Sequence, residues 1–537
     1  MRGQMMDFPL TLTTILDRAG RLFANREICS RMPDKSLHRT TYGDFHRRAL
    51  ALADALTRAG LGRGDRVATL MWNHAWHLEA YFGIPAAGGV LHTLNLRLHP
   101  DDIAYIAGHA EDRFLIVDDV LLPLYEPWKD KHRFEKVIVV PLTGKPVPAP
   151  YVSYDDFLAT ASGDFTPPVL DENEAAGMCY TSGTTGKPKG VVYSHRAIVL
   201  HTFVAGLVDT LALCQRDVVT PVVPMFHANA WGLPFTAVMV GAKIAFPGPH
   251  LTPDQLLDLF VSEKVTMSAG VPTIWMGMLD AMNKNVGRWK TEPGLRMAVG
   301  GSAPPESMIR EFDRLGWKLI QAWGMTETAP LGTVSYVKDH LLDRPADEQY
   351  VYRAKQGIPA PFVECRVIAE DGEAPWDGKT MGELQVRGPW VAGSYYRLDD
   401  PEEKWTGDGW FRTGDVATID ADGYVKLTDR TKDLIKSGGE WISSVDLENT
   451  LMAHPGVKEA AVIAVPHPKW DERPLAVVVR EEGSDVDESA LRAFLETKIA
   501  KWWMPDAFVF IDAIPRTSTG KFLKASLRDR YKDWTWG

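Results

Sequence analysis

The chain has 537 residues, more than one hydrophobic core usually supports, so at least two domains are expected. Hydrophobic residues make up 45% and charged residues 24%, an ordinary globular balance, and the net charge of −11 argues against a nucleic-acid partner, which needs a basic face. Four scattered cysteines (Cys29, Cys179, Cys214, Cys365) show no metal-ligand spacing and no disulfide-dense pattern, which suits a reducing compartment.

The opening MRGQMMDFPL lacks an apolar h-region and a cleavage site, and no apolar run approaches the roughly eighteen residues of a spanning helix. A soluble, cytoplasmic protein without a membrane span is expected. For about four hundred residues, strand-like segments then alternate with helical ones. RVATLMW (66–72) reads as a buried strand before the helical HLEAYFGIPAAGG. FLIVDD (114–119) and KVIVVP (136–141) are short β-branched runs of the parallel-sheet kind. MCYTSG, VVTPVVPMFH, RMAVGG and KLIQAWG repeat the strand-then-turn texture. Thr252 before PDQLLDLF and Pro304-Pro305 before ESMIREFDRL mark helix starts. These features predict a doubly wound, layered α/β body. From about residue 355 the chain becomes Gly-punctuated and strand-rich. Beyond TDRTKD, a short charged join, a unit of about 431–537 has a βαβ-like pattern. Its helix SSVDLENTLMAHP starts at Ser443, with Asp446 in the place of a capping-box partner.

The segment Thr181-Ser182-Gly183-Thr184-Thr185-Gly186-Lys187-Pro188-Lys189-Gly190 directly follows the strand-like MCY. Its glycines let the backbone turn tightly and aim N–H groups at anionic oxygens, while hydroxyls and lysines surround a triphosphate-sized anion. No Gly-Lys-Ser/Thr opens a helix here, so it is not the Walker pattern. A flexible Ser/Gly surface loop is the plain alternative.

With the motifs that follow, this loop resembles the adenylate-forming acyl-CoA synthetases, firefly luciferases and peptide-synthetase adenylation domains, over nearly the whole chain. In the segment Gln321-Ala322-Trp323-Gly324-Met325-Thr326-Glu327-Thr328, the resemblance implies Glu327 as the Mg²⁺ ligand and Thr326 on the α-phosphate, with the Thr181 hydroxyl near the metal. Gly300-Gly301-Ser302-Ala303 resembles the turn lining the adenine and acyl sites. Phe411-Arg412-Thr413-Gly414-Asp415 resembles the ribose motif, with Asp415 accepting from the ribose hydroxyls. In Asp429-Arg430-Thr431-Lys432, Arg430 would touch ribose or phosphate and Lys432 would be the hinge. Lys436 and Trp441 approach the nucleotide in related long-chain synthetases, where the indole gates the acyl tunnel; Trp441 could equally be a core aromatic. Lys521 in Pro515-Arg516-Thr517-Ser518-Thr519-Gly520-Lys521 resembles the adenylation lysine. Such a lysine makes chemical sense, because a carboxylate must attack a negatively charged phosphate and the repulsion has to be neutralised.

Met225-Phe226-His227-Ala228-Asn229-Ala230-Trp231 resembles the wall between acyl site and thiol tunnel, and it lacks the acid that would bind an amino acid's ammonium. His227 reads as a gate or as a buried structural imidazole. Trp231, Trp323, Met325 and Pro330 border the acyl site in relatives, and none is charged, so a neutral tail is expected. Taken together, the resemblance implies a large layered α/β N-terminal body (1–430) with a β-rich subdomain (355–430), and a small mobile α+β C-terminal domain (431–537). The implied activity is ligation of a carboxylic acid to CoA with ATP and Mg²⁺, releasing AMP, in the manner of bacterial medium-chain and methylthiopropionate-CoA ligases. A short-to-medium fatty or methylthioalkanoic acid is the expected substrate. Long-chain and aryl acids, carrier-protein loading, a non-catalytic nucleotide-binding scaffold and a homodimer stay open.

Overall fold

The computed structural model describes residue 1 and residues 3–181, 187–398, 403–430, 433–437, 440–517 and 521–536. Two large sheets form the body. One has seven strands in the order Val152–Ser153, Lys136–Val140, Phe114–Asp118, Arg66–Leu70, Val90–Thr93, Ala175–Tyr180, Gly190–Ser194. All neighbours are parallel except the last pair. Phe114–Asp118 is buried at every residue, because helices cover both faces of a parallel sheet, and this is why its sequence shows no polar alternation.

The second sheet has nine strands, parallel from Lys318–Gly324 through Arg296–Val299, Met267–Gly270, Val218–Pro221 and Lys243–Phe246 to Glu27–Arg31. One core joins the two sheets, with Ile116 and Ile138 from one and Ile244 and Phe246 from the other among its members. Ligand-binding residues of such sheets gather beyond the carboxyl ends of the strands. Here Gly300-Gly301 and Thr326-Glu327 follow the neighbouring strands Arg296–Val299 and Lys318–Gly324. A five-stranded antiparallel sheet, from Glu364–Ala369 to Val425–Arg430, follows, and a small α+β domain with its own sheet closes the chain.

Three local expectations change. VVTPVVPMFH pairs only over Val218–Pro221, since a proline lacks the N–H a ladder needs, and the chain then leaves the sheet towards His227. The C-terminal βαβ-like pattern is an antiparallel hairpin, Val457–His467 with Asp471–Arg480, because the three residues between them are too few for a parallel crossover. The parallel partner of Asp471–Arg480 is Ala507–Phe510, reached through the helix Glu488–Glu496. Ser443 does cap the helix Ser444–Met452, accepting from Asp446 N at 3.0 Å, but the Asp446 carboxylate turns to Lys426 Nζ at 2.9 Å instead of back to the cap.

Candidate active site

The segment 181–189 joins two antiparallel strands, Ala175–Tyr180 on one side and Gly190–Ser194 on the other. Two hydrogen bonds close its base. Thr181 N donates to Lys189 O at 2.9 Å, and Lys189 N donates to Thr181 Oγ1 at 3.1 Å. Ser182, Gly183, Thr184, Thr185 and Gly186 lie outside the described residues. A Cβ at residue 190 would stand 3.0 Å from the Tyr180 ring, so glycine there lets the tyrosine pack across the hairpin.

Lys189 Nζ sits 5.0 Å from the centre of the Tyr395 ring, and the Tyr395 hydroxyl donates to Glu327 Oε1 at 2.6 Å. Burial and the Glu327 charge hold that phenol well above its ordinary range, so it remains a donor. Tyr395 thus joins the hairpin to Glu327, a role that the sequence VAGSYYR did not signal. Glu327 is 6% exposed and leaves its second oxygen without a hydrogen bond among the described residues. The preceding Thr326 is fixed through its carbonyl, which accepts from Tyr193 OH at 2.7 Å.

Lys521 enters this site from the far end of the chain. Its loop is closed on itself, with Thr517 N donating to Lys521 O at 2.7 Å and Lys521 N to Thr517 Oγ1 at 3.1 Å. Arg516 pins the loop to the small domain through Glu459 at 2.6 Å. The side chain then crosses Gly301, which has φ +85°. A Cβ at 301 would lie 3.1 Å from Lys521 Cε and 3.4 Å from Val271 Cγ1. The positive φ favours glycine there, and a Cβ would also crowd the lysine, which would have to shift slightly. Burial first, then the positive charge of Arg430, pulls the Lys521 ammonium down to about 8, against the opposing pull of Asp415 and Glu327.

Asp415 and Arg430 face each other on paired strands, with Arg430 Nε 3.4 Å from Asp415 Oδ1. Trp323 Nε1 donates to Asp415 Oδ2 at 2.9 Å, and its indole lies over Gly332, where a Cβ would come within 2.4 Å of the ring. Trp323 is therefore only 7% exposed and orients the carboxylate. Trp231 keeps its indole against Gly300, 3.1 Å from where a Cβ would stand. It is delivered by a left-handed turn, Ala228, Asn229, Ala230 and Trp231 having φ of 42°, 53°, 50° and 57°. Such a turn costs on the order of 1–2 kcal/mol per residue. A run of four is held only where the surroundings over-determine it.

The remaining expected residues divide. His227 lines a narrow cleft with Thr93, Asn95, Thr181 and Phe226, and burial, then Lys521 and Arg97, drive its imidazole to about 3, so the ring is neutral at ordinary pH. With its amide oxygen and nitrogen exchanged to suit their neighbours, Gln321 donates to the main-chain carbonyls of Ala354 at 2.9 Å and Lys355 at 3.1 Å and accepts from the Gln356 side chain at 2.7 Å. Ser302 is exposed and Ala303 half-buried at the turn after Gly301, while the Ala322 carbonyl approaches Gly300. Gly324 admits the Pro330 carbonyl, which accepts from Met325 N at 3.1 Å. Lys436 and Trp441 pair across a short hairpin of the small domain, Nζ 5.5 Å from the ring centre. Lys432 lies outside the described residues.

Comparison with known proteins accounts for this convergence of distant segments. The pattern of the family described as AMP-binding enzyme matches residues 16–396, and that of the AMP-binding enzyme C-terminal domain matches 446–521. The chain belongs to the AMP-binding enzyme family. It is similar to a long-chain-fatty-acid–CoA ligase of Thermus thermophilus, 51% identical over 99% of this chain and 98% of that one. It is also similar to a 3-methylmercaptopropionyl-CoA ligase of Ruegeria lacuscaerulensis, 47% identical over 99% of each. The structure of the anthranilate CoA ligase AuaEII in complex with anthranoyl-AMP superposes with a TM-score of 0.87 at 25% identity, covering 98% of both chains. This member of the family is an AMP-forming acyl-CoA ligase, with a carboxylic acid, ATP and CoA as the substrates its family implies.

The position of Lys521 has a titration signature. Its ammonium is charged below about pH 8 and neutral above, so kcat/KM for acid-dependent ATP–pyrophosphate exchange should fall as pH rises through that value. Lys521→Arg, which stays charged, should remove that limb even if its rate is lower. An unchanged limb in the variant would assign the titration to another group.

Proposed function

We propose that the enzyme activates a neutral short-to-medium-chain fatty or methylthioalkanoic acid as its acyl-adenylate and passes the acyl group to CoA. The observation that carries the two-step reading is the crossing of Lys521 over Gly301 into a site already holding Glu327, Asp415 and Arg430. In the first step a carboxylate oxygen forms a bond to the α-phosphorus of ATP and pyrophosphate leaves. The Lys521 ammonium would neutralise charge on both carboxylate and phosphate where it develops. Asp415, oriented by Trp323, would accept from the ribose hydroxyls, and Arg430 beside it would meet ribose or phosphate. Thr181, the hydroxyls and glycines of residues 182–186 and Lys189 would hold the outer phosphates. In the second step the CoA sulfur forms a bond to the acyl carbon and AMP leaves. The neutral His227 ring would wall the cleft that the thiol uses.

A magnesium ion fits the donor set. Glu327 keeps one carboxylate oxygen open while Tyr395 fixes the other, and Mg²⁺ commonly takes one or two carboxylates together with substrate phosphates and water. The ion would supply charge neutralisation to the phosphates. The residues up to about 430 would form the body and 431–537 a lid turning about Lys432, withdrawing Lys521 before the thiol arrives.

For the acid, the neutral residues of Phe226–Trp231 and the Trp231 indole over Gly300 support an uncharged tail. A second charge would be buried without a partner, so dicarboxylates and amino acids should be rejected. The Ruegeria relative, named for methylmercaptopropionate, is in keeping with a short tail. A second reading, a long-chain acid, gains from Trp323 being tied to Asp415 and from the Thermus relative's name.

Two measurements test these readings. Across straight-chain acids from propionate to palmitate with 3-methylthiopropionate included, kcat/KM should rise about fourfold per carbon, at about 0.8 kcal/mol per methylene. It should then turn over before long chains. A maximum at palmitate would establish the second reading. Glu327→Gln should depress adenylation and its Mg²⁺ dependence with little change in melting temperature; an unchanged rate and Mg²⁺ dependence would remove Glu327 from the metal.

A further inference from the structure

A chain of buried polar groups spans the proposed hinge a few residues from either end of the Lys521 machinery. Asp429 lies near the end of the strand Val425–Arg430, next to Arg430 and before the hinge. Its Oδ2 accepts from Ser444 N at 2.8 Å and from Ser444 Oγ at 2.5 Å. Ser444 opens the helix Ser444–Met452 of the small domain, so the body's carboxylate caps a helix belonging to the other side of the hinge, where the partial charge is positive. Beside it Ser443 Oγ donates to Thr428 O at 2.5 Å.

The same Ser444 Oγ accepts from Lys524 Nζ at 2.5 Å, and Lys524 Nζ also pairs with Glu448 Oε1 at 2.6 Å. Both ends of this pair are withdrawn from water, the side chains being 11% and 9% exposed. Glu448 Oε1 is further held by Val462 N at 2.8 Å. A buried ammonium is tolerated only where its anionic partners are in place, which fixes Lys524 tightly. Lys524 in turn opens the helix Lys524–Arg530, three residues after Lys521. The adenylation lysine therefore hangs from an anchor that runs Glu448, Lys524, Ser444, Asp429 from small domain to body. Two of these links, Ser444 N and Oγ to Asp429, join residues on opposite sides of 431–432. Turning the small domain about the hinge would separate them while leaving Lys524 with Glu448.

We propose that Lys524, Ser444 and Asp429 are positioning residues for adenylation, acting through Lys521: together they hold the small domain where Lys521 crosses Gly301, and the thioester step does not use them. This rests on the reading of Lys521 as the adenylation lysine. A displacement of about 1 Å at a reacting group can cost about a hundredfold in rate. Losses of that size are expected.

The test measures, on the full-length protein, acid-dependent ATP–pyrophosphate exchange and, separately, conversion of supplied acyl-adenylate and CoA to thioester. Lys524→Met should lower exchange about a hundredfold, with the thioester step within about twofold of wild type. Its exchange should also lose the basic limb near pH 8, because Lys521 would leave the surroundings of Arg430, Asp415 and Glu327 and titrate as an exposed ammonium. Lys524→Arg, still able to meet the Glu448 carboxylate and the Ser444 hydroxyl, should restore part of the exchange. Should Lys524→Met fold poorly, Ser444→Ala, which removes a single hydroxyl, should give the same one-sided loss, about tenfold, in a protein that stays folded with a slightly lowered melting temperature. Equal losses in both half-reactions, unchanged exchange, or a loss with the pH limb still in place would overturn the proposal. No exchange in the wild type with any acid would instead sink the adenylation reading beneath it.

Discussion

The site is organised around the close approach of Lys521 to Gly301. Any Cβ there would stand 3.1 Å from Lys521 Cε, and the backbone already holds φ +85°, a region other residues avoid. Past that glycine a lysine from the loop before the helix Lys524–Arg530 comes near Glu327, at the carboxyl end of a parallel strand, and near Asp415 and Arg430 of the antiparallel sheet. The electrostatics follow from this crossing. An ammonium taken from water beside a guanidinium loses affinity for its proton, and two carboxylates restore only part of it. A carboxylic acid and a triphosphate would bring the anions that such a cation lacks.

The charged groups are themselves held by aromatic side chains. Tyr395 spans from Lys189 to Glu327 and Trp323 fixes Asp415, so the two acids are oriented before substrate arrives. Orientation in advance avoids reorganisation at the moment of reaction, which is where much enzymatic rate enhancement originates. The left-handed turn 228–231 places Trp231 on Gly300 at a cost in backbone strain that only close packing sustains.

Much of the fold was legible because buried parallel strands carry a run of β-branched residues that few other structures need. RVATLMW, FLIVDD, KVIVVP, RMAVGG and KLIQAWG each contain the strand expected of them. The Ser443 cap was legible for the same local reason. Asp446 was not, since its choice of Lys426 over the cap depends on a strand far away in sequence. At the site, Thr181, Gly301, Glu327, Asp415 and Lys521 could be singled out because each stands in a motif. Tyr395 could not, for nothing around it in sequence distinguishes it from an ordinary turn tyrosine. Trp323 stands in a motif too, but its indole N–H on Asp415 was not legible, because that pairing joins segments ninety-two residues apart.

The most direct measurement is on Lys521→Ala, with the two half-reactions followed apart. If the crossing over Gly301 is what makes the body competent to adenylate, acid-dependent ATP–pyrophosphate exchange should vanish. Supplied acyl-adenylate and CoA should still give thioester at close to the wild-type rate. Equal loss of both steps, or exchange that survives the substitution, would contradict the role assigned to Lys521.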